Sequence, residues 1–162
     1  MLSLLRQNTD YALRVMVHLA HSQTNGCISA RTLAKEQKIS YQFACKILQQ
    51  LHEAELVDST MGPKGGYRLS RQAKEISMRQ VIEAVQGPVD LNRCLKGLAT
   101  CPRQPTCPVT EKLSVLQGQI ENYLAGITLD QLTVNGQPGR EIEKAESDKP
   151  LELTDTKGIE HD

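Results

Sequence analysis

The sequence predicts a mainly α-helical fold with a small β-hairpin wing: a winged helix-turn-helix followed by a long C-terminal dimerisation helix. Two short amphipathic segments separated by about four residues predict the helix-turn-helix. Directly after them, the run D-S-T-M-G-P-K-G-G-Y-R-L-S places a Gly/Pro turn between two strand-like stretches and predicts the wing. An uninterrupted amphipathic stretch beginning at Pro108 predicts the long helix.

Apolar spacing and capping residues define the helices of the first half. A helix is expected from Thr9 to His21 because apolar residues repeat there every four positions, with Thr9 capping its start. Ser29 and Ser40 are predicted N-caps of the two short helices, and Ser77 is the predicted N-cap of a fourth. The residues of the third helix that are expected to face the core are Ala44, Ile47, Leu48 and Leu51.

The opposite face of the third helix is suited to contact DNA. Glutamine can offer a donor and an acceptor to adenine in the major groove, and lysine can reach phosphate or guanine. Residues near the N-terminus of such a helix sit deepest in the groove. The predicted DNA-binding residues are Ser40, Tyr41, Gln42, Cys45, Lys46 and Gln49 on this helix, with Lys64 and Arg68 on the wing. The competing interpretation is an ordinary solvated polar face.

The charge distribution agrees with a nucleic-acid partner. Residues 1 to 79 carry 11 lysines and arginines against 6 aspartates and glutamates, although the whole chain has no net charge. The sequence suggests four parts: a DNA-binding domain over 1–87, a cysteine loop over 88–107, a dimerisation helix and closing turn over 108–133, and a disordered charged tail over 134–162.

A heptad of apolar residues predicts a partner for the long helix. The residues Val109, Leu113, Leu116, Ile120, Tyr123 and Ile127 alternate in steps of four and three. At 1.5 Å per residue this stripe is about 29 Å long. We expect a homodimer; the alternative is that the stripe packs on its own domain.

Three cysteines, Cys94, Cys101 and Cys107, form a loop cluster with the spacing C-x6-C-x5-C. The chain has five cysteines, and in a reducing compartment three in one loop favour metal ligation over a disulfide framework. Thiolates suit an iron-sulfur cluster, whereas structural zinc usually draws on C-x2-C pairs. Zinc and unmetallated thiols are the alternatives.

Several protein classes are excluded by what the sequence lacks. No apolar run approaches the roughly 20 residues of a membrane span, and the N-terminus lacks the order of a signal peptide, so we expect a cytoplasmic protein with no membrane partner. No Walker, dinucleotide-binding, Ser-His-Asp or C-x-x-C pattern is present, so no enzyme is expected.

The stretch N-T-D-Y-A-L-R at 8–14, the helix-turn-helix, M-G-P-K-G-G-Y-R-L at 61–69 and the cysteine loop together resemble the Rrf-two family of bacterial winged-helix transcription regulators. The resemblance implies a homodimer that binds a pseudo-palindromic operator in double-stranded DNA. It also implies an iron-sulfur cluster on the cysteines matching Cys94, Cys101 and Cys107. Different branches of this family respond to nitric oxide, to iron or to the supply of iron-sulfur clusters. We expect this protein to be a repressor.

The fourth cluster ligand distinguishes the branches of that family. The branch of the cluster-assembly regulator has a histidine where Thr110 stands, and the nitric-oxide-sensing branch uses an aspartate of the other subunit that matches Asp10. We favour a 4Fe-4S over a 2Fe-2S cluster. Asp10 is the favoured fourth ligand, and Glu111 is the second candidate for that position. The alternative role of Asp10 is a first-turn acid that stabilises its own helix. The gap between Cys94 and Cys101 is one residue longer than in the pattern of either branch. Met61 stands where the family often carries an arginine at the base of the wing. The sequence therefore does not assign the protein to one branch.

A protein-interaction module that carries zinc or no cofactor is the competing function. Salt dependence separates the two, because binding that neutralises phosphates weakens steeply as salt rises.

Overall fold

The computed structural model describes residues 5–22, 26–63, 65–96 and 106–134. Within these ranges the helices are α1 (Gln7–His21), α2 (Ala30–Glu36), α3 (Tyr41–Glu53), α4 (Met78–Gln86), α5 (Pro108–Gly126) and α6 (Leu129–Val134). The strands are β1 (Val57–Thr60) and β2 (Gly66–Leu69), and short 3-10 helices occupy Ala73–Glu75 and Arg93–Lys96. The first residue of the predicted tail, Val134, belongs to α6, and the rest of the tail, from residue 135 onward, lies outside the described residues.

The first helix begins two residues earlier than the sequence predicts. Arg6 occupies the N-cap position, so the expectation that Thr9 caps the helix is wrong. Thr9 lies inside α1, is fully buried, and its hydroxyl donates a 2.7 Å hydrogen bond to Oε1 of Gln86. A buried hydroxyl needs a hydrogen-bond partner, and Gln86 at the end of α4 supplies it.

The helix-turn-helix is confirmed, including both of its capping serines. Ser29 accepts a hydrogen bond from the backbone N–H of Thr32 at 3.1 Å, and Ser40 accepts one from Phe43 at 3.2 Å. Lys38 adopts a left-handed conformation, with φ of 54°, in the turn between the helices. The predicted core residues of α3, all fully buried, are Ala44, Ile47, Leu48 and Leu51.

The predicted wing forms, and it is tied to the helix-turn-helix. β1 and β2 pair antiparallel, with Val57 opposite Leu69. Ile28, just before α2, exchanges two backbone hydrogen bonds with Tyr67 of β2, at 2.9 and 2.8 Å. Gly66 has φ of 154°, and a Cβ there would collide with the carbonyl of Ile28, so only glycine fits this close approach. Strand β2 is therefore hydrogen-bonded on both sides, to β1 and to Ile28, which ties the wing to the helix-turn-helix.

The core lies where α1, α3 and α4 meet beneath the wing and α6. Ser77 caps α4 as predicted, in a capping box with Gln80, and Gly87 ends that helix with φ of 83°. The largest fully buried side chains are Met16, Leu33, Ile47, Leu48, Leu51, Ile76, Ile82 and Leu129.

The long helix α5 stands largely outside this core. Thr110 is its one buried side chain among those described. After the helix, the chain returns to the core: the N–H of Met78 donates to the carbonyl of Ile127 at 2.8 Å, and the N–H of Leu129 donates to Ile76 at 2.9 Å. The C-terminal end of α5 is therefore fixed to the start of α4. Among the helices of the described ranges, none combines the length and apolar character needed to cross a membrane.

Candidate nucleic-acid interface and cysteine loop

The structure brings the predicted DNA-reading side chains of α3 onto one surface. Tyr41, Gln42, Lys46 and Gln49 are exposed, and Cys45 is half-buried between them. They lie together because the buried residues of α3, which are spaced three and four positions apart, occupy the opposite side of the helix. We call this set of five side chains the reading surface.

Arg31 of α2 extends the reading surface and was not predicted from the sequence. Its guanidinium lies 5.5 Å from the centre of the Tyr41 ring, within cation–π range. The Tyr41 hydroxyl forms a hydrogen bond with Cys45, which raises the pKa of Tyr41 above its usual value. Tyr41 is thus a neutral hydroxyl beside a fixed positive charge, an arrangement suited to contact with a phosphate.

Two of the predicted DNA-binding residues, Gln49 and Arg68, have side-chain partners in the free protein, and a third is not described. The amide of Gln49 donates to Glu53 Oε1 at 2.9 Å, and Arg68 on the wing lies 3.5 Å from Asp58. Both members of the Arg68 pair are about half exposed, and such a pair is weak enough to exchange for a phosphate. Lys64, at the predicted tip of the wing, lies outside the described residues.

Ser40 serves first as a structural cap. Its hydroxyl accepts the Phe43 N–H at the start of α3, the helix that carries the reading surface, and its contact with DNA stays a prediction.

The two faces of α5 differ in polarity in a way that is unusual for a helix of a small domain. The face toward its own core is polar: Thr110, Gln117 and Glu121 share it. Three of the six apolar heptad residues are exposed in the single chain, Val109 at 62%, Leu116 at 43% and Tyr123 at 70%, whereas Leu113, Ile120 and Ile127 are half-buried. Exposed apolar patches of this kind often mark surfaces of protein–protein contact.

Two of the three predicted ligand cysteines lie within the described residues. Cys94 sits in the 3-10 helix Arg93–Lys96, which packs against α5, and Cys107 occupies the N-cap position of α5. Both are half-buried. Cys101 lies outside the described residues. The structure thus places Cys94 and Cys107 on two elements in contact.

A cavity of about 620 Å³ opens at the N-terminal end of α5 beside Cys107, and Cys94 is not among the residues that line it. Cys107, Glu111 and Thr110 line it, together with Leu95 from the 3-10 helix. The positive end of the α5 dipole favours an anionic group here. The sulfur of Cys107 is a ligand type that fits an iron-sulfur cluster, and the carboxylate of Glu111 is a harder oxygen donor.

The proposed fourth ligands occupy different places. Glu111 lies in the first turn of α5 and lines the cavity, whereas Asp10 lies in the first turn of α1 and pairs with Arg14 at 2.9 Å. Thr110 occupies the position of the family's histidine and is buried. Within the described residues, which lack Cys101, no three His, Cys, Asp or Glu side chains lie close enough together to hold a metal ion.

Known proteins with related sequences are transcription regulators. The sequence profile of the Rrf2 family, described as an iron-dependent transcriptional regulator, matches residues 5–135. The HTH-type transcriptional regulator IscR of Pectobacterium atrosepticum is 33% identical over 125 residues, which cover 77% of this chain and 76% of the relative.

Solved structures show the same architecture. CymR (YrzC), the global cysteine regulator of B. subtilis, aligns with a TM-score of 0.68 at 23% identity, over 85% of this chain and all of that one. IscR of T. potens aligns with a TM-score of 0.66 at 22% identity, over 85% of this chain and 90% of the other. These likenesses confirm the winged-helix fold. Because the profile spans most of the sequence and the matched relatives are regulators rather than enzymes, the chain belongs to the Rrf2 family of transcriptional regulators.

Proposed function

We propose that this protein is a cytoplasmic homodimer that binds a pseudo-palindromic operator and acts as a repressor, with its DNA affinity controlled by an iron-sulfur cluster on Cys94, Cys101 and Cys107. One observation carries the proposal: α5 turns an apolar heptad face outward while its N-terminus places Cys107 beside a cavity. The same helix would therefore form the subunit interface and carry one ligand of the candidate cofactor site.

The reading surface supports DNA binding. Gln42 and Lys46 are exposed on α3, and Arg31 stands beside them on α2. Gln42 can read an adenine edge, whereas Lys46 and Arg31 can neutralise phosphates. In a dimer with twofold symmetry two such surfaces read two half-sites, which explains why a pseudo-palindromic operator is expected.

The cysteine loop supports a resident cluster. Cys94 and Cys107 would hold it together with Cys101, and Asp10 of the other subunit or Glu111 would complete the set. When bound, a 4Fe-4S cluster, which we favour over 2Fe-2S, supplies an iron-sulfur centre that reacts with nitric oxide or is lost when iron is scarce. A carboxylate is a harder ligand than a thiolate, so the fourth position is the one most easily opened.

An Asp10 ligand contributed across the dimer explains how the site controls DNA binding. The carboxylate would tie the first helix of one subunit to the loop of the other, and the orientation of the two reading surfaces would depend on that tie. Coupling between two sites of this kind typically changes affinity by about 5- to 150-fold.

The cofactor is tested by purifying the protein without oxygen, recording its absorption spectrum and measuring iron and sulfide. We expect a brown protein with an iron-sulfur spectrum. Zinc-containing or colourless protein that cannot be reconstituted would contradict the cluster. The protein would then be a cluster-free member of the fold, as the likeness to a cysteine regulator allows.

DNA binding is tested with a duplex selected from a randomised pool, by titration at several salt concentrations. We expect log K to fall linearly with log salt, and Lys46→Ala to lower the slope by about 1.8, because each of the two subunits loses one phosphate contact worth about 0.9. Gln42→Ala should instead keep the slope and relax the preference at one base pair of each half-site by about 1–3 kcal/mol. Salt-independent binding would favour the protein-interaction module.

A further inference from the structure

One side chain of α5 holds the segment that leads from α4 into Cys94. The Leu91 N–H donates to Oε1 of Gln117 at 2.9 Å, and Nε2 of Gln117 donates to the Val89 carbonyl and, at 2.7 Å, to Oε1 of Glu121. A primary amide has two N–H donors and one acceptor oxygen, so all of its hydrogen-bonding groups are used.

The three partners admit only one orientation of the amide. Leu91 offers a donor, whereas Val89 and Glu121 offer acceptors, so a flipped side chain would satisfy none of them. Glu121 also lies 3.9 Å from Arg79 of α4, whose Nε contacts Glu83 at 2.7 Å. The hydrogen bond with Glu83 raises the pKa of Arg79. Because a guanidinium is in any case charged at physiological pH, Arg79 attracts the carboxylate of Glu121.

We propose that Gln117 is a positioning residue that fixes the approach to Cys94 relative to Cys107. Leu91 is three residues before Cys94, and Gln117 is on the helix that Cys107 begins. The contact therefore places the chain leading to one cysteine on the element that carries the other. Such preorganisation lowers the entropic cost of ordering the loop when a ligand binds.

The inference rests on the proposed cluster for its purpose, but its geometry is testable in reduced, metal-free, full-length protein. Gln117→Met keeps the size and helix propensity and removes all three hydrogen bonds. Gln117→Asn, shorter by one methylene, is a second variant that keeps the amide. Gln119→Met is the matched control, because Gln119 is exposed on the same helix.

Two local measurements decide the role of Gln117. Amide exchange at Leu91 should become about fivefold faster in both Gln117 variants, the equivalent of losing a hydrogen bond of about 1 kcal/mol. Alkylation of Cys94 should accelerate relative to Cys107 in the same molecule, and Gln119→Met should match the wild type. Unchanged Leu91 exchange, or equal acceleration at both cysteines with a lower Tm, would overturn the proposal, since the latter is the signature of a purely structural role.

A third measurement separates this inference from the proposed function. After anaerobic reconstitution with iron and sulfide, Gln117→Met should lose iron to a chelator several-fold faster than the wild type. If the wild type takes up no iron, the cluster proposal fails, while the Leu91 and Cys94 measurements still decide whether Gln117 positions the loop.

Discussion

Asp10 has two roles open to it, and its position on α1 allows both. It pairs with Arg14 at 2.9 Å one turn along the helix, and more than half of its side chain remains exposed. An exposed pair of this kind contributes about 0.3–0.5 kcal/mol, so the carboxylate loses little if it leaves Arg14 for a metal on another subunit.

Substitution at Asp10 separates the two roles. Asp10→Ala should alter the anaerobic absorption spectrum and the response to nitric oxide, because it removes the proposed fourth ligand. Arg14→Ala is the matched control: it breaks the same ion pair but keeps the carboxylate, so the spectrum should stay that of the wild type. An unaltered spectrum in Asp10→Ala would remove Asp10 from the mechanism and direct attention to Glu111.

At the scale of single elements, α3 has an N-terminus capped by a serine and carries the reading surface. Ser40 caps α3 and Ser77 caps α4 through the same type of bond to a backbone N–H three residues on. The two helices thus begin alike, but only α3 carries the reading surface.

Ser40→Ala and Ser77→Ala should each lower the free energy of unfolding by about 1 kcal/mol, measured by urea titration. At urea concentrations below the unfolding transition, where both variants are folded, only Ser40→Ala should also weaken operator binding in a fluorescence-anisotropy titration. The reason is that the first turn of α3 is expected to lie deepest in the major groove. Equal losses of affinity in both variants would show that the caps affect DNA binding only through stability.

At the scale of the whole molecule, the two faces of α5 differ in polarity. Its inner face is engaged through Gln117 and Glu121, and its outward apolar stripe is the surface on which we propose that a second copy packs. Leu116 lies on that stripe, whereas Val115 lies off it, although the exposed fraction of Val115 is larger, at 59% against 43%.

Leu116→Asp should therefore convert a dimer to a monomer, because a carboxylate buried at a helix pair is costly. Val115→Asp should leave the dimer intact. Light scattering of the eluting protein gives the mass in each case. Dimers of Leu116→Asp, or monomers of Val115→Asp, would place the subunit contact elsewhere.

The elements that the sequence predicted well are those whose signals are local. Ser29, Ser40 and Ser77 are caps as expected, and the hairpin forms around its Gly/Pro turn. These features depend on residues within a few positions of each other, so their spacing carries the information. Cys94 and Cys107 were also identified by spacing, although their ligand role stays a proposal.

The features that sequence reasoning missed join residues far apart in the chain. Thr9 was predicted as a cap, but it lies within α1 and bonds Gln86, 77 positions away. The stacking of Arg31 on Tyr41 and the pairing of Ile28 with Tyr67 were likewise not predicted. Each depends on how packed elements meet, which no local pattern records.

The amino-acid sequence by itself determined the helices, the wing, the outward polarity of α3 and the apolar heptad of α5, because periodicity and capping act over one or two turns. Only the tertiary structure decided that α5 turns its polar face inward, that Gln117 is hydrogen-bonded to the segment before Cys94, and that Arg31 lies beside the reading surface. The physical reason is that such contacts arise when burial of the core brings distant segments together, and their partners are chosen by packing rather than by spacing along the chain.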